Sequence, residues 1–236
     1  MGDLVDATEM YLRAVYEMAE DGTVALRARI AERLGQSGPT VSQTVARMER
    51  DGLLVVMGDR HLELTDQGWV RATSVMRKHR LAERFLADVI GLEWDLVHAE
   101  ACRWEHVLGD AVERRIVALL GDPGESPYGN PVPGLGQLAG TDGRPGVPPR
   151  SAAADGLETL IDVAHAGGGT VVVHRLGEHL QESPEILREL RAVGVLPGRS
   201  LGVGPRTDRA APVEVRGGPE ACALWPAAAR AVFVSR

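Results

Sequence analysis

Cysteine is scarce in this chain, with only Cys102 and Cys222 among 236 residues. Two thiols so far apart do not make a disulfide scaffold. The economical expectation is a reducing cytoplasm in which Cys102 stays a free thiol and Cys222 is a buried structural one. Long apolar runs are missing too: none approaches the roughly 18 residues that a spanning helix needs. The opening ten residues have neither the basic nor the apolar region of a signal peptide, so a cytoplasmic protein with no membrane partner is expected. Positive charge is not in excess. The formal net charge of −7 argues against indiscriminate nucleic-acid binding by the whole surface, though not by one local patch. There is no His-Glu-x-x-His motif to support a metallohydrolase and no long internal repeat. What remains, 44% hydrophobic over 236 residues, is a globular chain long enough for two or three domains.

Residues 6–20 read as a first helix, capped by Asp6 or Thr8, with Tyr11, Leu12, Val15, Tyr16 and Met18 at helical spacing. Met10, taken alone, reads as core packing. Residues 27–51 read as two helices around a Gly-bearing turn, the second opened by Pro39. Val41, Val45 and Met48 form its apolar stripe. Thr40, Gln43, Arg47 and Arg50 form a separate polar stripe, with short residues and Gln suited to base edges and arginines to phosphates. Between Arg27 and Arg60 six arginines (27, 29, 33, 47, 50, 60) face four acids (Glu32, Glu49, Asp51, Asp59), a local excess of +2 in an acidic protein. A solvated helical hairpin is the bland alternative. A following β-hairpin over 53–65, with Arg60 at its tip and His61 on the surface, favours a winged helix-turn-helix that binds DNA.

A long helix is expected from Thr65 to about Ile90. Its stripe Met76, His79, Glu83, Leu86, Ile90 puts an imidazole and a carboxylate into an apolar face. Buried there, they must pair with each other or bind something. A further helix, from about Asp95 to Leu120, carries His98, Cys102, Glu105 and His106 at spacings of three and four, hence near one face, able to present ligand atoms to one or two metal ions. Trp104, Leu108 and Ala111 form a second apolar set on it, a candidate seam for a two-fold dimer. Residues 121–150 hold eight Gly and seven Pro and read as a tether. Beyond it, short strands are expected at 170–176, 200–203, 212–215 and 231–234, with a helix near 184–193. The domains are therefore expected at 1–73 (winged helix-turn-helix), 74–120 (helical, metal-binding and dimerising), 121–150 (tether) and 151–236 (small β domain).

The opening run from Asp3 to Leu12, the turn from Gln36 to Gln43, Met76–Glu83, Cys102–His106 and Ser126–Pro131 together resemble the diphtheria toxin repressor family, actinobacterial iron-dependent repressors. The likeness is continuous over roughly residues 1–134 and looser afterwards. It implies a mainly α chain with small β parts: a winged helix-turn-helix, a helical dimerisation domain and an SH3-like C-terminal domain behind a proline-rich tether. It implies two metal sites per subunit: a primary one from Met10, Cys102 (side chain and carbonyl), Glu105 and His106, and an ancillary one from His79, Glu83, His98, Glu178 and Gln181, with His179 a competitor between the last two. By the same resemblance Arg27, Ser37, Pro39, Thr40, Ser42, Gln43, Arg47, Arg50 and Arg60 face a palindromic operator bound by one or two dimers. A thioether beside a thiol reverses the packing reading of Met10. Soft sulfur with imidazole and one carboxylate suits Fe²⁺, Co²⁺, Ni²⁺ and Zn²⁺ better than Mn²⁺, with Fe²⁺ as corepressor on grounds of cellular availability. A manganese-responsive or organic-ligand-responsive regulator is the alternative. Catalysis is not expected.

Overall fold

Helix α1 (Ala7–Glu20) forms where Tyr11, Leu12, Val15, Tyr16 and Met18 recur at helical spacing, and all five are buried. The computed structural model describes residues 7–121, 123–140, 148–208, 210–218 and 221–236. Asp6 as a cap and residues 3–6 of the opening motif lie outside them. Helices α2 (Arg27–Arg33) and α3 (Gly38–Arg50) make the helix-turn-helix. Ser37 caps α3 by accepting from the Thr40 amide, and Pro39 sits in the first turn, where a missing N–H goes unnoticed. Strands β1 (Leu54–Val56) and β2 (Leu62–Leu64) pair antiparallel as the wing. Arg60 lies at the wing tip in the left-handed region, at φ 72°.

Helix α4 (Asp66–Phe85) is the spine of the molecule. Its Ala72 and Met76 pack in the winged-helix core with Ile30, Val45 and Met48. Its Leu81 and Ala82 pack in a second core that continues into the C-terminal sheet. The next turn, Leu86–Ile90, is π-helical and ends at Gly91 (φ 75°). The wider turn carries Ile90 off the expected stripe: Met76, His79, Glu83 and Leu86 are buried, whereas Ile90 is 58% exposed.

The single helix expected over 95–120 is two, α5 (Val97–Trp104) and α6 (Asp110–Leu120). Gly109 is extended at the start of α6, and Asp110 and Glu113 in the first turn favour a new helix N-terminus there. The stretch expected as a tether is ordered where described. Tyr128 is wholly buried; its hydroxyl donates to the Trp94 carbonyl (2.6 Å) and its carbonyl accepts from the Leu176 amide (2.9 Å). Asn130 donates to the Leu176 carbonyl (2.8 Å). Gly129 has φ 82°, and a Cβ there would meet the His174 carbonyl oxygen at 1.9 Å, so only glycine fits. The segment is a strap laid between α4 and the C-terminal domain, and a short α7 (Leu135–Ala139) follows it. Residues 122 and 141–147 of the expected tether lie outside the described residues.

The C-terminal domain runs β3 (Glu158–Thr159), α8 (Leu160–His165), β4 (Gly169–Leu176), α9 (Glu178–Gln181), α10 (Pro184–Ala192), β5 (Ser200–Val203), β6 (Val213–Arg216), β7 (Cys222–Leu224), α11 (Pro226–Arg230) and β8 (Val232–Ser235). Its antiparallel sheet has the order β3-β8-β4-β5-β6-β7. Alternation puts Val171 and Val173 of β4, and Val213 and Val215 of β6, inside. Neither the two-residue β3 nor the three-residue β7 alternates buried and exposed positions, which is why both escape a sequence reading. Cys222 is half-buried rather than buried. Among the described residues, no helix is long and apolar enough to cross a membrane.

Candidate metal centre

Residues from three parts of the chain meet beside α4. His79 and Glu83, one turn apart on α4, are fully buried, and His98 enters from α5 and Glu178 from α9. One ligand atom from each of these four lies within 4.8 Å of the other three. His79 Nε2 donates to Glu83 Oε1 (2.8 Å), and His98 Nδ1 donates to the same oxygen (3.1 Å). Three buried oxygens here, Glu83 Oε2, Glu178 Oε2 and Gln181 Oε1, have no hydrogen-bond partner. Buried carboxylate oxygens that accept no hydrogen bond, Glu178 Oε2 having only charged neighbours at 3.4–3.7 Å, suit a cation's donor set. Four of the five residues expected as ancillary are thus gathered, and their chemistry fits a divalent ion; Gln181, on α9 with Glu178, donates to the Leu176 carbonyl (2.9 Å).

The set expected as primary is drawn differently. Met10, Cys102, Glu105 and His106 line one cavity of about 360 Å³. Cys102 instead clusters with His79 and His98, its Sγ 3.5 Å from His98 Nε2. Glu105 accepts from His79 Nδ1 (2.6 Å), so His79 touches both sets. His106, on the turn that interrupts the expected helix, donates from Nδ1 to Glu9 Oε2 (2.6 Å), and its Nε2 lies 3.3 Å from Glu105. Arg13 stands in the middle: Nη1 donates to Cys102 Sγ (3.1 Å) and Glu105 Oε2 (3.0 Å), while Nε donates to Glu17 (2.6 Å). Neither Arg13 nor Glu9 was singled out by the sequence reading, since each sits among polar residues that pass for a solvated helix face.

Charges in this pocket compensate one another. Burial alone would push the Cys102 thiol up, but Arg13, His79 and His98 outweigh it and hold the thiol well below its ordinary value. Burial likewise opposes ionisation of Glu105, yet Arg13 and His79 bring its carboxyl down to about 2. Burial disfavours a charged His98, but hydrogen bonds to Cys102 and Glu83 raise it to about 9. Burial and Arg13 both oppose protonation of His79, and Glu83 with Glu105 overcomes them, raising it well above its usual value. Ligand-type groups are therefore paired internally, anions against Arg13 and two imidazoliums.

The expected DNA face is at the surface. Ser37, Pro39, Thr40, Ser42, Gln43, Arg47, Arg50 and Arg60 are exposed, while Arg27 is half-buried. Of the expected dimer residues, Ala111 is exposed and Trp104 half-buried, its ring against Phe85. Leu108 turns into the subunit's own core. Exposed apolar side chains nearby on α5–α6 and before them are Leu96, Val107, Val112 and Leu119.

Ion pairs join the β domain to the DNA-binding helices. Arg80 on α4 donates to Glu20 (2.9 Å) on α1, to Glu178 (3.0 Å) on α9 and to the Pro131 carbonyl (2.7 Å) of the strap. Asp21, just past α1, borders a cleft of about 710 Å³ between α1–α2 and the β domain. Arg33 and Arg175 approach it only to 3.9 and 4.0 Å, so burial dominates and pushes its carboxyl from 3.8 up to about 7. The folded protein then binds the extra proton between those two values. The stabilisation is complete below pH 3.8 and is lost as pH rises through about 7. Asp21→Asn should flatten this dependence: melting scans from about pH 5 to 8 should show a falling midpoint in the wild type and a smaller fall in the variant. Parallel curves would contradict the assignment.

A winged-helix reading head joined to helices and a β domain that together enclose clustered imidazoles, carboxylates and a thiol defines a metal-responsive DNA-binding regulator. Residues 3–62 match the family model "Iron dependent repressor, N-terminal DNA binding domain" and residues 65–134 match "Iron dependent repressor, metal binding and dimerisation domain". Residues 164–236 match the FeoA domain. The chain is 56% identical over 204 residues to the iron-dependent repressor IdeR of Mycobacterium tuberculosis, 86% of each chain. It is 52% identical over 206 residues to the diphtheria toxin repressor of Corynebacterium diphtheriae, 87% of this chain and 88% of that one. A solved manganese-dependent transcriptional repressor in complex with manganese superposes with a TM-score of 0.76 at 30% identity, covering 97% of this chain and 99% of that one. The chain belongs to the iron-dependent repressor family, that of the diphtheria toxin repressor. It is a metal-dependent transcriptional repressor and not an enzyme, with an N-terminal DNA-binding domain, a helical dimerisation domain and a C-terminal SH3-like FeoA domain. With curated relatives above 50% identity being the iron-dependent and diphtheria toxin repressors, a manganese-responsive role is not favoured.

Proposed function

We propose that the chain is an Fe²⁺-dependent repressor of the cytoplasm that binds palindromic operators, as one or two dimers, when two metal sites per subunit are filled. The observation that carries this reading is the cavity in which Met10 of α1 meets Cys102, Glu105 and His106 of α5 and its following turn. These four are the primary ligands. His79, Glu83, His98, Glu178 and Gln181 are the ancillary ones, supported by the close approach of the first four and by three buried oxygens among the five that accept no hydrogen bond. A divalent ion supplies a compact double charge that sulfur, imidazole and carboxylate can share. Met10 rides on the DNA-binding domain and the other three on the dimerisation helices, so holding all four in one shell fixes α3 relative to its dimer mate. Two reading helices can then meet successive major grooves. Coupling of this kind is reciprocal, so operator DNA should tighten metal binding by the same factor.

On α3, Thr40, Ser42 and Gln43 read base edges, while Arg27, Ser37, Pro39, Arg47, Arg50 and the wing's Arg60 contact the backbone. Trp104, Ala111 and the exposed Val107 and Val112 form the dimer seam, with Leu108 supporting them from within. Co²⁺, Ni²⁺, Zn²⁺ and Mn²⁺ can replace Fe²⁺ in vitro, and the sulfur ligands rank Mn²⁺ below Fe²⁺. An anaerobic operator-binding titration with Fe²⁺, and with Mn²⁺ and Zn²⁺ beside it, tests the reading. Operator binding should require metal, and Fe²⁺ should act at lower concentration than Mn²⁺. Metal-independent binding would refute it. Gln43→Ala should weaken operator binding by about 1–3 kcal/mol and leave metal affinity unchanged. Equal loss on scrambled DNA would remove Gln43 from the reading set.

A further inference from the structure

The side chain at the middle of the metal centre is not one of its proposed ligands. Arg13 lies one turn beyond Met10 on α1 and reaches members of both ligand sets. Its Nη1 donates to Cys102 (3.1 Å) and Glu105 (3.0 Å), and its Nη2 lies 3.4 Å from His98 Nε2 and 3.7 Å from Glu178 Oε2. We propose that Arg13 is a built-in competitor for metal, a cation that occupies the ligands of both sites, withdraws when either is filled, and so sets the metal threshold and couples the two sites. The proposal rests on the two-site reading above.

Three observations carry it. A metal ion on Cys102 draws on the same thiolate charge that now attracts Nη1 (3.1 Å), so guanidinium and ion compete for that sulfur. The side chain is 12% exposed, where a guanidinium and a divalent ion a few ångströms apart repel with little screening. The guanidinium also has somewhere to go. Its Nε is already held by Glu17 (2.6 Å), and Glu17 and Glu182 line the same cavity, together with Arg33 of α2 and Leu34 just past it. Because one side chain blocks two sites, the first ion bound bears the work of moving it and the second does not. That is positive coupling within one subunit. Arg13 and Met10 share α1, so the same exchange replaces an arginine clasp between α1 and α5 by a thioether one.

Co²⁺ binding to the full chain tests this without DNA. Thiolate-to-cobalt charge-transfer absorption reports the Cys102 set, and equilibrium dialysis under anaerobic conditions counts all bound cobalt. The wild type should fill sigmoidally, with absorption and total binding rising together. Arg13→Gln should bind cobalt about tenfold more tightly, with a slope near one, and should melt lower than wild type without metal while gaining more from cobalt. A folded Arg13→Gln protein that binds cobalt no more tightly than wild type overturns the proposal. Should that variant not fold, Arg13→Lys carries the test, because an ammonium cannot reach both sets. Its slope should approach one, and an isotherm identical to wild type overturns the proposal. Absence of the thiolate band in the wild type itself would instead sink the underlying two-site reading. A band present there but unmoved in the Arg13 variants sinks only the role given to Arg13.

Discussion

Cys102→Ala is expected to lose metal-dependent operator binding while keeping its fold. The thiol is the one soft anionic ligand in the proposed primary set, and it is half-buried at the edge of a cavity rather than packed in a core. Removing it leaves Arg13 with Glu105 (3.0 Å) and Glu17 (2.6 Å), so no buried charge is stranded. Changes in the shell around a metal already cost 10–100-fold in affinity, and loss of the thiolate itself should cost about 100-fold or more. Met10→Ala should fall in the same direction by less, because a thioether is a neutral ligand. Both proteins should melt within a few degrees of the wild type without metal. Fluorescence anisotropy of labelled operator, titrated with Fe²⁺ at fixed protein, reads the effect. Undiminished metal-dependent binding by Cys102→Ala would rule out the primary set, whereas loss of binding together with unfolding would contradict its place at the cavity edge.

The polar interruptions in the α4 stripe were visible in the sequence because a 3.6-residue period makes His79 and Glu83 conspicuous on an apolar face. The winged helix was visible for the same reason, since local signals, Ser37 before Pro39 and Val41–Val45–Met48, agree with the tertiary fold. The features that escaped depend on partners far along the chain. Arg13 looks like any charged residue on an exposed helix face until Glu105, 92 residues later, closes over it. The Gly/Pro composition of the strap says linker, yet Tyr128 and Asn130 are buried because the Leu176 main chain, on β4, offers them a carbonyl and an amide. Leu108 has a seam-like place on a continuous helix and a core-like one once the chain breaks at Gly109. The π-helical turn that exposes Ile90 has no sequence signal at all in an amphipathic pattern.

Arg80→Ala is expected to be the most destabilising single change, because this fully buried side chain fastens three parts of the molecule to α4. It donates to both oxygens of Glu20 (2.9 and 2.5 Å), to Glu178 Oε1 (3.0 Å) and to the Pro131 carbonyl (2.7 Å). Burial opposes the charge, but Glu20 and Glu178 hold the guanidinium well above its ordinary value. The intact cluster is itself of modest net worth, since desolvation consumes most of the attraction; removing one member is another matter, leaving buried carboxylates uncompensated at about 3–5 kcal/mol. Glu20 would retain Arg175 at 3.3 Å, and Glu178 would retain only His79 and the more distant Arg13 and His98. The excess negative charge therefore falls on α9. Hydrogen exchange should rise first in α9 and the strap, before the winged-helix core, which Arg80 meets only over the Tyr16 ring, 6.0 Å from its centroid. Urea denaturation of Arg80→Ala should show the loss, and adding Glu178→Gln should recover part of it, a coupling of the kind expected for residues in one network. A loss of less than about 1 kcal/mol would mean that water or rearrangement already serves these carboxylates, and that the β domain is held to α4 by its apolar contacts alone.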